Sequence, residues 1–182
     1  MDAVAEVGQP APTFALPDLE GQLHALEAVR GRLLVLVFWS AECPWSGRGD
    51  DAIAELGLDK ADDVAVWRLA SNVNESLSQL RAAADERGVA PVLLDADHGV
   101  ADRYGALTTP HIYVIDGAGI LRYAGAPSDA TWRQPEPNRH YLAEAVDALR
   151  QGELPEVSQT PGRGCTIMRF QLGSGSNEPR EA

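Results

Sequence analysis

The chain has 182 residues, a formal net charge of -12 and two cysteines. This length is typical of one domain that is large enough to build its own hydrophobic core. Because 27 Asp and Glu residues outweigh 15 Lys and Arg residues, we expect neither nucleic acid nor an anionic membrane as a partner, since both require clustered positive charge. Two cysteines are too few for a disulfide-dense scaffold or a four-cysteine zinc site. The open question is therefore what Cys43 and Cys165 do.

The N-terminal segment and the longest apolar run bear on where the protein resides. Residues 1–8 lack the basic and apolar regions of a secretory signal peptide. The longest apolar run, Leu33 to Trp39, is much shorter than the roughly 20 residues that a membrane-spanning helix needs. The sequence therefore predicts a cytoplasmic protein.

The first half of the chain alternates apolar strands with amphipathic helices. Four elements are predicted, in the order strand, helix, strand and helix: Leu33 to Trp39, residues 46–58, Val64 to Ala70 and residues 74–87. The first strand is continuously apolar, which is typical of a strand covered on both faces of a sheet. We expect Ser71 or Asn72 to cap the second helix and Gly88 to stop it.

The second half of the chain closes with a hairpin and a last helix. Its predicted elements are strand, helix, hairpin and helix: Val92 to Asp95, Val100 to Tyr104, His111 to Ala124 and residues 138–151. Strand–helix alternation implies parallel pairing, and a hairpin adds antiparallel pairing. The order thus predicts an α/β three-layer sandwich with a mixed sheet. We expect a single domain over residues 1–172 and a flexible tail, rich in Gly and Ser, over residues 173–182.

Cys43 lies between the first strand and the first helix, where Pro44 suits the first helical position. Ligand and catalytic groups of open α/β sheets collect at such strand ends. A helix N-terminus also stabilises a thiolate relative to a thiol. Arg48, about one turn further along, would assist, whereas the adjacent Glu42 would oppose. The placement predicts a reactive Cys43, and the alternative is a buried, inert cysteine of the core.

Three segments together resemble redoxins of the thioredoxin fold. Residues 8–18 (Gly-Gln-Pro-Ala-Pro-Thr-Phe-Ala-Leu-Pro-Asp) resemble the entry segment of the peroxiredoxin and thiol-disulfide oxidoreductase branches. Residues 38–46 (Phe-Trp-Ser-Ala-Glu-Cys-Pro-Trp-Ser) resemble their active-site strand and loop. Residues 109–119, which begin with Thr-Pro and end with Gly-Ala-Gly, are similar to the cis-proline loop and the hairpin that follows it.

Two further segments resemble one subgroup of these proteins. Residues 138–142 (Asn-Arg-His-Tyr-Leu) and residues 164–167 (Gly-Cys-Thr-Ile) are similar to the alkyl-hydroperoxide-reductase/thiol-specific-antioxidant-like members of the thioredoxin family. The whole resemblance covers roughly residues 7–171. It implies a thioredoxin-like fold with N-terminal and C-terminal extensions, and a thiol-dependent oxidoreductase.

The resemblance also implies roles for particular residues. Cys43 would attack a disulfide, and Ser46 Oγ would hydrogen-bond its thiolate. Pro110, in cis, would shape a groove in which the backbone of Thr109 holds an extended substrate strand. Cys165 would resolve a mixed disulfide or a sulfenic acid into an intramolecular disulfide. The expected partners are a disulfide-containing protein or a small thiol or peroxide, together with an electron donor that the residues do not identify.

Departures from the family patterns keep the reaction type open. Thioredoxins carry a second cysteine where this chain has Ser46, so a vicinal disulfide cannot form. Peroxiredoxins carry a proline where this chain has Leu36, and an arginine at the strand where this chain has Pro110. At one position the patterns agree, because Ser40 lies where peroxiredoxins carry a threonine or serine. A peroxidase in which Ser40 assists Cys43 is therefore one alternative. A module that binds a peptide or a metal without turnover is another.

The remaining candidates are weaker. Trp39 and Trp45 flank Cys43 and would form an apolar rim of the site, although Trp39 is more simply a core residue. His111 would lie near Cys43, where it could tune the thiolate or help to bind a soft metal ion. Because paired-ligand spacing such as C-x-x-x-C is absent, we predict no metal and no cofactor.

Other polar residues are expected at the surface. His24, His98 and His140 lie in segments that are typical of exposed loops. The acidic turn formed by Asp95, Asp97 and Asp102 is interpreted as a solvated face, because it has no calcium-loop register. Arg122, like Arg48, is a candidate substitute for the missing peroxidase arginine.

Overall fold

The computed structural model describes residues 4–169, and the tail expected over residues 173–182 lies outside them. The α-helices are α1 (Pro44–Glu55), α2 (Leu77–Arg87), α3 (Gly99–Tyr104) and α4 (Tyr141–Arg150). The strands are β1 (Ala15–Pro17), β2 (Leu23–Ala25), β3 (Leu33–Trp39), β4 (Val64–Ala70), β5 (Val92–Leu94), β6 (Thr108–Thr109), β7 (His111–Ile115), β8 (Leu121–Gly125) and β9 (Cys165–Thr166). No helix within residues 4–169 is long and apolar enough to cross a membrane.

The apolar strand β3 lies at the centre of a five-stranded sheet with the order β5-β4-β3-β7-β8. β3 pairs in parallel with β4, and β4 pairs in parallel with β5. On its other side β3 pairs antiparallel with β7, which pairs antiparallel with β8. The mixed sheet predicted from the order of elements is therefore confirmed.

Side chains that alternate along β3 enter two separate cores. Leu34, Leu36 and Phe38 pack with residues of α3 in one core. Val35, Val37 and Trp39 pack with residues of α1, α2 and α4 in the other. Because apolar layers cover both faces of the sheet, β3 and β4 are apolar on both faces, as strands of a three-layer sandwich must be.

Helix α2 begins five residues later than a cap at Ser71 would place it. Its N-cap is Ser76, whose Oγ accepts the backbone N–H of Gln79 while the Gln79 side chain accepts the backbone N–H of Ser76. This reciprocal pair satisfies two otherwise free donors of the first turn, so the cap predicted at Ser71 or Asn72 is wrong. Gly88 ends the helix in the left-handed conformation (φ 64°), as predicted.

The acidic turn contains a buried carboxylate. Asp95 is fully buried, and its oxygens accept the backbone N–H groups of Val100 and Ala101 at 3.0 and 2.9 Å and the Ser71 hydroxyl at 2.8 Å. His98 is also buried. The prediction of a solvated face is wrong for Asp95, because its carboxylate supplies the acceptors for the first N–H groups of α3.

Candidate active site

Cys43 occupies the N-cap of α1 directly after β3, and Pro44 takes the first helical position. The first N–H groups of a helix have no partner inside it, and the helix dipole is positive at this end. Both effects favour a thiolate over a thiol. The fold therefore gives Cys43 the electrostatic setting that its place in the sequence predicts.

The two cysteines lie side by side although 122 residues separate them in the chain. The Sγ atoms of Cys43 and Cys165 are 2.6 Å apart, and both cysteines are free. A disulfide bond is about 2.05 Å long, so the sulfurs need to approach by only about half an ångström to be joined. The Sγ of Cys43 also lies 3.0 Å from the carbonyl oxygen of Thr109.

The environment moves the pKa values of the two thiols apart. Burial alone raises the pKa of Cys43, but hydrogen bonds with Cys165, with Thr109 and with the backbone of Ser46 hold it below its ordinary value. Burial, together with the hydrogen bond to Cys43 and the negative charges of Cys43 and Glu75, raises the pKa of Cys165 to about 12. Cys43 is therefore the more acidic thiol of the pair, and in its thiolate form it accepts a hydrogen bond from the S–H of Cys165.

Removing that proton donor is expected to raise the pKa of Cys43. Cys165→Ala removes the donor, whereas Cys165→Ser keeps an O–H in its place, so the thiolate should titrate at higher pH in the alanine variant. Because the thiolate exists above the pKa, its ultraviolet absorbance should disappear first in the alanine variant as the pH falls. Identical titrations of the two variants would mean that Cys165 donates no hydrogen bond to Cys43.

Residues 158–169, here called the strap, cover Cys43. Within the strap, β9 pairs antiparallel with β6, which places Cys165 opposite Thr109. Beyond β9, the backbone N–H of Ile167 donates to Leu107, and the Ile167 side chain is buried in the core. Upstream, the N–H of Thr160 donates to a carbonyl of β8. The strap is therefore held on both sides of Cys165.

The strap occupies the edge at which the family resemblance places a substrate strand. The Thr109–Pro110 peptide bond is cis, but the backbone of Thr109 is paired with Cys165 of the same chain. As a result Cys43 is only 2% exposed, whereas Cys165 is exposed. With the strap in place, the backbone of Thr109 is not free to hold a substrate.

The hydroxyls of Ser46 and Ser40 form hydrogen bonds at the active-site loop. Ser46 Oγ accepts the backbone N–H of Ser40 at 3.1 Å, and the backbone of Ser46 helps to lower the pKa of Cys43. Ser40 Oγ donates to Glu75 at 2.7 Å. Each of the two hydroxyls thus has a hydrogen-bond partner other than the Cys43 sulfur.

Two side chains that the sequence does not single out hold this loop. The Arg87 guanidinium donates to the carbonyl oxygens of Ser40 and Ala41 at 3.1 and 2.8 Å. The Glu75 carboxylate accepts the Ser40 hydroxyl and the backbone N–H of Glu42, the latter at 3.0 Å. Both side chains come from the segment after β4 and reach the loop only through the tertiary fold.

A buried ion cluster lies beneath the same helix. Arg68, in the middle of β4, is fully buried; it contacts Asp50 of α1 at 2.8 Å and binds Asp59 through two nitrogens at 2.8 and 3.0 Å. Asp50 also accepts the indole N–H of Trp39 at 2.8 Å. A lone arginine inside an otherwise apolar strand was the available sequence signal, since a buried charge requires partners.

Trp45 contacts the side chains of Trp132 and Arg48. Its ring lies 4.7 Å from that of Trp132, and the Arg48 guanidinium lies over it at 4.8 Å. Trp45 and Arg48, together with Pro110 and Arg163, line a cavity of about 320 Å³ beside the strap. Arg48 therefore engages tryptophan rings by cation–π contact in place of the sulfur that it was expected to assist.

The other candidates lie as follows. Trp39 is fully buried, as a core residue. Arg122 forms an ion pair with Asp116 at the hairpin. The His111 ring packs against Tyr113 at 4.7 Å, and burial lowers its pKa to about 4, so it is neutral at pH 7 and adds no positive charge. Within residues 4–169, no three His, Cys, Asp or Glu side chains gather closely enough to hold a metal ion.

Curated relatives share both the fold and a thiol chemistry. The chain is 30% identical over 117 residues to thioredoxin-like protein YneN of Bacillus subtilis, covering 63% of this chain and 68% of that protein. It is 33% identical over 118 residues to thiol-disulfide oxidoreductase ResA of Geobacillus thermodenitrificans, covering 64% and 67%. It is 28% identical over 144 residues to thiol:disulfide interchange protein DsbE of Tatumella citrea, covering 75% and 76%.

Solved structures match nearly the whole chain. A hypothetical protein, SMc02350 of Sinorhizobium meliloti, superposes with a TM-score of 0.82 at 31% identity and covers 92% of this chain and 96% of its own. An uncharacterized conserved protein of Geobacillus kaustophilus gives 0.82 at 27% identity, with 93% and 94% covered. The family model of the AhpC/TSA family matches residues 7–124. With its thioredoxin-like fold and a cysteine at the N-terminus of the first helix, the chain belongs to the AhpC/TSA family.

Proposed function

We propose that this chain is a thiol-disulfide oxidoreductase that cycles between a Cys43–Cys165 dithiol and an intramolecular disulfide. The observation that carries the proposal is the 2.6 Å separation of the two sulfurs. The names of ResA and DsbE, which describe thiol-disulfide exchange, support the same activity. The substrate class is a disulfide-containing protein or a small disulfide.

Within this pair, Cys43 is the more acidic thiol. Its lowered pKa makes it a thiolate in a range where an ordinary cysteine is protonated. Ser46 leaves the active-site loop with one thiol, so the second sulfur of the cycle must come from elsewhere in the chain. Cys165 is the cysteine that the strap brings to that position.

In the order expected from the redoxins, Cys43 attacks a substrate disulfide and Cys165 resolves the product. The first attack joins Cys43 to one substrate sulfur and releases the other as a thiolate. Cys165, having given up its proton, then attacks the Sγ of Cys43 and releases the second substrate thiolate. Two electrons reduce the substrate, the protein pair is oxidised, and an external dithiol restores it.

The peroxidase alternative has less support. A peroxidase of this family would use Ser40 beside Cys43, but the Ser40 hydroxyl donates to Glu75. The candidate arginines also engage other groups, because Arg48 stacks on Trp45 and Arg122 pairs with Asp116. We therefore expect disulfide substrates to be consumed faster than hydrogen peroxide.

The reduction of insulin disulfides by dithiothreitol tests the proposal. Cys43→Ser and Cys165→Ser should each reduce the rate to that of dithiothreitol alone, because each removes one sulfur of the cycle. Ser46→Ala serves as the control, since it alters the same loop without touching a thiol, and it should retain activity. Turnover by Cys165→Ser at the wild-type rate would contradict the two-cysteine cycle. So would the absence of an intramolecular disulfide, measured by the intact mass after mild oxidation.

A further inference from the structure

The two cysteines of the pair differ sharply in how much of each residue is exposed to solvent. Cys43 is 2% exposed beneath the strap, whereas Cys165 is exposed. An in-line attack on a disulfide needs the incoming sulfur to contact the sulfur that it attacks. With the strap in place, Cys43 is closed to a molecule in solution, and Cys165 is the residue of the pair that lies at the surface.

The contacts of the strap make its displacement costly. Beyond Cys165, the Ile167 side chain is buried in the core at 2% exposure. Met168 then forms two hydrogen bonds with the segment after β4. Its N–H donates to the side-chain Oδ1 of Asn72 at 2.8 Å, and its carbonyl accepts the backbone N–H of Val73 at 3.0 Å. Cys165 lies in the chain between these contacts and the hydrogen bond that joins Thr160 to β8. Exposing Cys43 therefore requires contacts of the strap to break.

We propose that exchange with outside thiols takes place at the Sγ of Cys165. Cys43 forms a bond only with Cys165: it is the leaving group when an outside thiolate attacks Cys165, and the attacking group in the reverse direction. This inference rests on the proposed function and assigns the order of its steps. It reverses the order expected from the redoxins, in which the cysteine that follows β3 meets the substrate.

The steps balance as follows. An outside thiolate attacks the Sγ of Cys165 in the Cys43–Cys165 disulfide, a new sulfur–sulfur bond forms, and the old one breaks with its electron pair left on Cys43. A second outside thiolate attacks the outside sulfur of this mixed disulfide and releases Cys165, which takes up a proton. Two outside thiols become one disulfide, and the protein pair is reduced by two electrons.

The reverse direction uses the same atoms. Cys165, as a thiolate, attacks an outside disulfide and releases one outside thiolate. Cys43 then attacks the Sγ of Cys165 and releases the second. In both directions Cys43 touches only Cys165, from which it is 2.6 Å away.

The charge distribution favours oxidation of outside thiols. A thiol with a lower pKa is the better leaving group, and the pKa of Cys43 lies below its ordinary value. Cys165, whose pKa is raised, is the poorer leaving group, and a smaller fraction of it is present as thiolate. An outside thiolate that attacks Cys165 therefore expels the more stable of the two thiolates.

Thiol exchange with glutathione locates the first contact. The oxidised wild-type protein is mixed with reduced glutathione and quenched in acid within the first turnover, and the modified cysteine is identified by peptide mass spectrometry. We expect the mixed disulfide on Cys165. Glutathione on Cys43, or on both cysteines equally, would overturn the proposal. A protein that never forms the Cys43–Cys165 disulfide would instead contradict the proposed function.

Single-cysteine variants provide an independent measurement. Reduced Cys43→Ser and Cys165→Ser proteins are treated with glutathione disulfide, and each rate is divided by the measured thiolate fraction of the cysteine that remains. We expect the corrected rate to be at least about ten-fold lower for Cys43 than for Cys165, a ratio that corresponds to an opening cost of about 1.4 kcal/mol. Hydrogen exchange at the Ile167 amide, which donates to Leu107, verifies that the strap is seated in both variants. With that amide protected in both, an equal or higher corrected rate for Cys43 would overturn the proposal.

Discussion

Replacing Arg68 with methionine is expected to lower the free energy of unfolding by about 3–5 kcal/mol. Arg68 is fully buried between the carboxylates of Asp50 and Asp59. Methionine fills a similar volume among apolar neighbours, so the change removes the positive charge and leaves Asp50, which is 6% exposed, without it. The loss arises mainly from the buried Asp50 carboxylate, which loses its contact with Arg68 at 2.8 Å and keeps only the more distant Arg87 at 3.6 Å.

Denaturant unfolding of matched variants checks this prediction. Arg122→Met removes an arginine whose ion pair with Asp116 is partly exposed, and it should cost only about 0–1 kcal/mol. Adding Asp50→Asn to Arg68→Met should restore part of the stability, because the amide still accepts the Trp39 N–H without carrying a buried charge. Equal effects of Arg68→Met and Arg122→Met would refute the importance of the buried cluster.

Much of the sheet could be predicted because burial leaves a local signal. Leu33–Trp39 and Val64–Ala70 are the bounds both of the predicted and of the observed strands, since a strand covered on both faces must be apolar at nearly every residue. Cys43 could be placed at a helix N-terminus for a similar reason, as Pro44 follows an apolar strand and starts a helix. Each of these signals lies within a few neighbouring residues.

The parts that escaped prediction depend on contacts between distant segments. β6 and β9 are two residues each, which is too short for an alternating pattern, and they pair across the strap. Arg87 and Glu75 hold the active-site loop from another part of the chain. Nothing near these residues in the sequence marks the contact, so the burial of Cys43 and the exposure of Cys165 became visible only in the fold.

Replacing Gly164 with alanine is expected to open the strap over Cys43. A Cβ at this position would lie 1.9 Å from the carbonyl oxygen of Thr109 and 3.1 Å from the nitrogen of Pro110, and the φ of 151° disfavours a side chain. Forcing extra atoms into a packed site costs about 1–3 kcal/mol. Since about 1.4 kcal/mol is a tenfold change in an equilibrium, the open form should become roughly ten-fold more populated.

The rate at which iodoacetamide alkylates Cys43, measured in a Cys165→Ser background, reports this opening. Gly152→Ala is the matched control, because Gly152 also has a positive φ (76°) but a Cβ there meets no atom within 4 Å. The control therefore carries the backbone cost without the collision. We expect roughly ten-fold faster alkylation in the Gly164 variant than in the control, with the amides of β3 still protected from hydrogen exchange. Equal rates would mean that the contact of Gly164 with Thr109 does not limit access to Cys43, and loss of protection in β3 would mean that the whole domain, and not the strap, had opened.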